Sequence, residues 1–232
     1  MSLSQLLTIL SDLMSPRQCP ICGKRLLTTE DMLCAPCNAD MPRTDFFLNP
    51  EDNTMAQLFY GYVRVERCAA LMHFIHHSDT AQAIYNLKYH HQPEIGLTLG
   101  RMAAQEGMQH GFFQGIDMII PVPLTTRRQW QRGYNQSLMI ARGISRETGI
   151  EINSKALKRT AFYGSQTKVD HAERRKNVEG VFKLTKPESI TGKHLLVVDD
   201  IATTGATISS CASELLKAPD TRISVLTIGF AG

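Results

Sequence analysis

Leu195-Leu196-Val197-Val198-Asp199-Asp200-Ile201-Ala202-Thr203-Thr204-Gly205-Ala206-Thr207 decides how this sequence is read. Four consecutive branched aliphatic residues predict a short strand buried on both faces, as in a parallel sheet. Two acids stand at its carboxyl end, the edge where ligands bind in open α/β sheets. A loop of small and hydroxylated residues follows and runs into a helix. The first turn of any helix leaves backbone N–H groups without internal acceptors, at the positive end of the helix dipole. Beside small side chains such as Ala202, Gly205 and Ala206, such amides form a cradle for a phosphate. Thr203, Thr204 and Thr207 add hydroxyl donors, while Asp199 and Asp200 can accept from a vicinal diol or approach a bridging Mg²⁺. The plainer alternative is a strand whose acids only cap the next helix. A phosphoryl-accepting receiver places its acidic pair near the start of its domain, and no Walker-type G-x-x-x-x-G-K-[ST] occurs.

Outward from this stretch, the pattern is one of alternating elements. Helices are predicted near 79–89, 93–109, 134–147 and 206–217. Strands are predicted at 58–65, over the apolar run Asp117-Met118-Ile119-Ile120-Pro121-Val122-Pro123-Leu124, near 152–158, at 194–198 and at 223–228. Strands alternating with helices imply an α/β fold, a parallel sheet flanked by helices. Segment 163–180 is polar, basic and aperiodic, and a stretch of that length without elements is usually functional or disordered.

The N-terminal part reads differently. Leucines recur at helical spacing from Leu3 to Leu13, and the pattern stops at Pro16. Cys19-Pro20-Ile21-Cys22 and Cys34-Ala35-Pro36-Cys37 then form two Cys-x₂-Cys pairs. Each pair lets one tight turn aim two sulfurs at one ion, so together they predict a closed tetrahedral Cys₄ site with Zn²⁺ as the default metal. Disulfides and an iron–sulfur cluster are the alternatives. A closed site is structural rather than catalytic. Cys68 and Cys211, standing alone, read as buried small hydrophobes. The histidines between His73 and His110 show no H-E-x-x-H pattern and read as ordinary surface or packing residues. The expected organisation is a helix and Cys₄ zinc module at 1–41, a linker at 42–57 and an α/β domain at 58–232.

Composition sets the wider bounds. The chain has 232 residues, is 43% hydrophobic and carries a net charge of +3. That charge is unevenly placed: residues 1–119 hold 8 Lys and Arg against 12 Asp and Glu, whereas residues 120–200 hold 15 against 8. A concentrated positive excess suits a phosphorylated small molecule, a nucleic acid or a solvated basic face. No run approaches the roughly 20 apolar residues of a membrane span, and Met1-Ser2-Leu3-Ser4-Gln5 lacks the basic start of a signal peptide. A cytoplasmic protein is expected.

The strand–loop–helix stretch resembles the phosphoribosyl pyrophosphate (PRPP) motif of type I phosphoribosyltransferases. The chain as a whole resembles the ComF family of competence-related proteins, including its GntX-like members. Further matches are the Cys₄ module, Leu87-Lys88-Tyr89, Pro121-Val122-Pro123-Leu124, Arg132-Gly133-Tyr134-Asn135-Gln136, Lys158-Arg159-Thr160, and Arg174 with Asn177 ahead of Gly180-Val181-Phe182. The resemblance implies that Asp199 and Asp200 hold the ribose hydroxyls. Residues Ile201, Ala202, Thr203, Thr204, Gly205, Ala206 and Thr207 would line the 5′-phosphate. Thr125, Thr126, Arg127 and Arg128 would face the pyrophosphate. The basic segment with Lys168, Arg174 and Arg175 would be a mobile loop closing over the site, its arginines joining the acidic pair in catalysis.

Two functions follow from this resemblance. One is a Mg²⁺-dependent phosphoribosyl transfer to an acceptor the sequence does not reveal. The other is a non-catalytic protein that senses PRPP or a nucleotide. Such a protein would bind single-stranded DNA through Arg127, Arg128, Arg132, Arg174, Arg175 and Lys176, in company with DNA-uptake proteins. Release of pyrophosphate from PRPP favours the first, and salt-dependent single-strand affinity favours the second.

Overall fold

The computed structural model describes residues 17–160 and 181–232. The N-terminal helix expected near 3–14 and the basic segment 163–180 lie outside the described residues. Arg174, Arg175 and Lys176, expected as catalytic and nucleic-acid-binding residues, therefore lie outside them too, as does Lys168.

Five parallel strands form the central sheet: β1 (Cys68–His73), β2 (Met118–Pro121), β3 (Glu151–Ile152), β6 (His194–Ala202) and β7 (Arg222–Phe230), in the order β1-β7-β6-β2-β3. A separate antiparallel pair joins β4 (Leu157–Arg159) to β5 (Phe182–Leu184). The helices are α1 (Ala35–Ala39), α2 (Asp79–Tyr89), α3 (Pro93–Gln109), α4 (Thr126–Arg132), α5 (Gln136–Thr148) and α6 (Ala206–Leu215). A mostly parallel sheet flanked by helices is thus the architecture, with a cysteine cluster ahead of it. Among the described residues no helix is long and apolar enough to cross a membrane.

The strand order places the site. From β6 the chain passes through α6 to β7 on one side. From β2 it passes through α5 to β3 on the other. These two connections diverge, so a crevice opens at the carboxyl ends of β6 and β2, the topological switch point at which doubly wound sheets bind ligands. The core of β6 is fully buried from Leu195 to Val198, as its unbroken aliphatic run requires.

Helices α3 and α5 cross at very short range, and glycine makes this possible. A Cβ on Gly100 would stand 2.2 Å from the carbonyl oxygen of Ile140, and one on Gly143 would stand 2.2 Å from that of Leu97. This contact fixes α5, whose first turn carries side chains of the site.

The strand expected at 58–65 is not formed. Residues Ala56–Phe59 make a 3₁₀ turn, and the first strand of the sheet is instead Cys68–His73. Aromatic content misleads here, because Phe59 is buried beside the loop after β6, where a Cβ on Gly205 would stand 3.3 Å from its ring. The true strand, Cys-Ala-Ala-Leu-Met-His, has little β-branched character and is held by its register with β7. Segment 42–57, expected to link two parts, contributes buried Phe46, Phe47 and Met55 to the shared core.

Candidate ligand site and cysteine cluster

Site geometry begins with the end of β6. Asp199 and Asp200 are both buried. Asp199 Oδ1 accepts from the hydroxyl of Ser137 at 2.8 Å and from the backbone N–H of Asp200 at 2.9 Å. Burial, and then the neighbouring charge of Asp200, push the Asp199 carboxyl up to about 7, against the opposing pull of Ser137, the Asp200 amide and Lys88. Asp200 Oδ1 pairs with the Lys88 ammonium at 3.1 Å. Its other oxygen, Oδ2, is buried with no hydrogen-bond partner among the described residues. Such an acceptor is costly unless a donor or cation arrives to meet it.

Beyond the acids the chain turns at Gly205, which has φ 71° and begins α6 without a side-chain cap. Two constraints meet at that position. The backbone is left-handed, and a Cβ would stand 3.1 Å from Leu58 Cβ and 3.3 Å from the Phe59 ring. The first amides of a helix have no acceptor within it, and no side chain caps those of α6 among the described residues.

A cavity of about 650 Å³ opens over this strand tip. Thr203, Thr207, Asp199, Asp200 and Ile201 form its floor, and Val122 and Leu124 come from the end of β2. Cations enter from several elements: Lys88 from α2, Arg128 and Arg132 from α4, and Arg159 from β4. Arg159 packs over the Phe182 ring at 5.3 Å, and its burial, followed by repulsion from Arg128, lowers its affinity for a proton. Two guanidiniums near one another over a cavity make a place for an anion.

The segment Arg132-Gly133-Tyr134-Asn135-Gln136 acts as a brace. Gly133 ends α4 with φ 80°. Tyr134 donates its hydroxyl to the Leu87 carbonyl at the end of α2. The Asn135 side chain accepts from Ser137 N–H at 2.9 Å, capping α5, and donates to the Val122 carbonyl at 3.0 Å. This brace aims Ser137 at Asp199 and lays Arg132 over the Tyr89 ring at 5.4 Å, with its Nη1 donating to Gln136.

The expected site residues divide accordingly. Asp199, Asp200, Ile201, Thr203, Thr207, Arg128 and Arg132 line one cavity. Ala202, Thr204, Gly205 and Ala206 shape the turn behind it. Thr125 caps α4 by accepting from the Arg128 N–H at 3.3 Å, and Thr126 and Arg127 are exposed on the same helix outside the lining. Five residues escaped the sequence reading as site residues: Lys88, Ser137, Arg159, Tyr85 and Tyr89. Lys88, Tyr89 and Arg159 stood inside quoted motifs, and Ser137 directly followed one. Their roles depend on helices meeting across the cavity.

The cysteine cluster lies in a second place. The sulfurs of Cys19, Cys22, Cys34 and Cys37 all lie within 4.8 Å of one another. A tetrahedron with metal–sulfur bonds of about 2.3 Å needs edges of about 3.8 Å, so the set fits a single ion. Gly23, with φ 72°, donates to the Cys19 carbonyl at 2.8 Å and closes the first knuckle. Burial raises the Cys19 thiol, but the amides of Cys22, Cys34 and Ile21 outweigh it and bring the thiol down to about 7, whereas burial and the neighbouring sulfurs push the Cys37 thiol up. The module is tied to α3 by Arg101, which pairs with Asp31 at 3.1 Å and with Glu147 of α5 at 2.6 Å. Cys68 and Cys211 are both buried, and burial raises both thiols.

With this geometry in place, comparison with known proteins is informative. The chain is 35% identical over 137 residues to "DNA utilization protein YhgH" of Escherichia coli O157:H7, covering 58% of this chain and 60% of that protein. It is 30% identical over 138 residues to "Competence protein F" of Haemophilus influenzae, with the same shares covered. Over this stretch the chain is similar to proteins named for DNA utilization and for competence. The match spans about 60% of the length of those relatives. No protein-family model matches the chain. Among solved structures, the chain is similar to a glutamine PRPP amidotransferase from B. subtilis complexed with ADP and GMP, at 22% identity and a TM-score of 0.42 over 61% of this chain and 30% of that one.

Proposed function

We propose that the cavity at the end of β6 binds the 5′-phosphate and ribose of PRPP or a related phosphoribosyl compound, in a protein that serves the uptake, handling or nutritional use of DNA. One observation carries the reading: a buried acidic pair, one of whose oxygens lacks a partner among the described residues, stands directly before a helix N-terminus without a side-chain cap at the switch point of the sheet. Asp199 and Asp200 accept from the ribose hydroxyls, and the amides and hydroxyls of 203–207 hold the phosphate. Arg128 and Arg159 face the pyrophosphate end. Mg²⁺ accompanying the pyrophosphate supplies charge neutralisation, and the acidic pair has oxygens to offer it. The Cys₄ module, within 1–41, holds a structural Zn²⁺, and 58–232 forms the phosphoribosyltransferase-like domain.

Calorimetric titration of the full chain with PRPP and Mg²⁺ tests this. Binding to the natural sequence and its loss in the Asp199→Asn/Asp200→Asn variant is the expected pair of results. Equal heats for both proteins, or none for the natural one, defeat the proposal. Pyrophosphate release with an added acceptor would make the protein a transferase. Arg127, Arg128 and the 89%-exposed Trp130 on α4 support the second reading, in which the site is regulatory and a single DNA strand runs beside it. That reading expects single-strand affinity that falls with salt and with neutralisation of these arginines.

A further inference from the structure

Among the described residues, the charged side chains that line the cavity at the end of β6 are two carboxylates, Asp199 and Asp200, and four cations, Lys88, Arg128, Arg132 and Arg159. The formal excess of two positive charges matches the roughly two negative charges of a phosphate monoester. A divalent cation on the acidic pair would overshoot that balance. The four cations are differently engaged. Arg132 donates to Gln136 and lies over the Tyr89 ring, and Arg159 packs over Phe182. Lys88 forms the one ion pair with the acids among the described residues, 3.1 Å from Asp200 Oδ1.

Geometry makes this ammonium a resident counter-ion. Lys88 is the penultimate residue of α2, and its side chain is 19% exposed against 7% for Asp200. The end of α2 is held in place by Tyr134, whose hydroxyl donates to the Leu87 carbonyl. The ammonium covers Oδ1 and leaves Oδ2 as the buried oxygen without a partner among the described residues. A metal ion on Oδ1 would share that oxygen with the ammonium, and like charges so close repel.

We propose that Lys88 takes the place of a divalent cation at the acidic pair, so that the site binds a phosphorylated pentose without metal and Mg²⁺ serves only the pyrophosphate of a larger ligand. This rests on the proposed phosphate and ribose site and assigns its charge balance. The ammonium neutralises Asp200 and leaves Oδ2 to accept from a sugar hydroxyl.

The test is calorimetric titration of the full chain with ribose 5-phosphate, with and without added Mg²⁺, and with Mn²⁺ alone. The natural protein should bind ribose 5-phosphate equally in both conditions. In Lys88→Met the affinity without Mg²⁺ should fall roughly tenfold, the effect of one charge lost from a partly buried site, and Mg²⁺ should restore it. Arg128→Met should also weaken binding, but without rescue by Mg²⁺, which separates a counter-ion at Asp200 from a general loss of positive charge. Mn²⁺ alone should bind Lys88→Met roughly tenfold tighter than the natural chain, and Lys88→Met/Asp200→Asn should lose that gain. A natural protein that requires Mg²⁺ for ribose 5-phosphate overturns the proposal, with no variant needed. So does an equal Mn²⁺ affinity with and without Lys88, or an equal rescue of Arg128→Met. Silence with ribose 5-phosphate in both conditions would refute the phosphate and ribose reading, while a Mn²⁺ gain in Lys88→Met would still uphold the counter-ion.

Discussion

Lys88 and Asp200 form an ion pair across the cavity, 3.1 Å between Nζ and Oδ1, with 19% and 7% of their side chains exposed. The pair links α2 to the tip of β6 and supplies the compensating charge for a carboxylate whose other oxygen has no partner among the described residues. Removing one member of a buried pair strands the other. Lys88→Met is therefore expected to lower unfolding free energy by about 2–3 kcal/mol, below the full cost of a dry site because the cavity admits water. Lys88→Met/Asp200→Asn should regain part of that loss. Urea denaturation of these two variants and of Asp200→Asn alone checks it, and strict additivity would show that the residues do not interact.

Asp199 gives stability an unusual pH dependence. Its carboxyl sits at about 7 in the fold, against an ordinary value of 3.8. Between those values the native state holds a proton that the unfolded chain has lost, so stability falls as pH rises through this window. At neutral pH and above the loss is on the order of 4 kcal/mol for a group this deeply buried. Asp199→Asn should remove the decline. Melting curves from pH 5 to 8 read it directly, and a natural protein whose stability does not fall relative to the variant over that range contradicts the assignment.

The cysteine cluster predicts one tightly held metal ion per chain. Elemental analysis should find one equivalent of zinc, lost in Cys34→Ser. A chelator should lower the melting temperature, since folding of such a module is coupled to its metal. Disruption should extend to the Arg101 ties with Asp31 and Glu147. A chain that is metal-free yet melts unchanged in chelator would exclude a structural metal.

At the crossing of α3 and α5 the prediction is steric. Gly100→Ala places a methyl group 2.2 Å from the Ile140 carbonyl, which only a backbone shift relieves. A loss of about 1–3 kcal/mol is expected from overpacking of this kind. Gly149→Ala offers a contrast, because no atom lies within 4 Å of the added Cβ there and only the strain of φ 74° remains. Equal losses at the two positions would show that the close approach is not what glycine serves at Gly100.

Much of this was legible in the sequence, because the signals were local. The aliphatic run ending in two acids marked β6, paired Cys-x₂-Cys spacings marked the cluster, and helical periodicity marked α2 and α3. What remained hidden depends on distant parts meeting. Ser137 touches Asp199 across 62 positions, and Lys88 reaches Asp200 only once α2 has docked, so no spacing rule could pair them. The aromatic residues at 58–62 suggested a strand because β-propensity reflects fit to a half-buried surface. Here Phe59 is buried from a 3₁₀ turn beside the loop that carries Gly205 instead.

A crystal structure of the full chain soaked with ribose 5-phosphate addresses the strand tip most directly. The phosphate should lie on the amides that open α6, with the sugar hydroxyls donating to Asp199 and Asp200. Electron density for the sugar phosphate elsewhere, or a cavity left empty at saturating ligand, would contradict the claim that this edge of the sheet is a phosphoribosyl site.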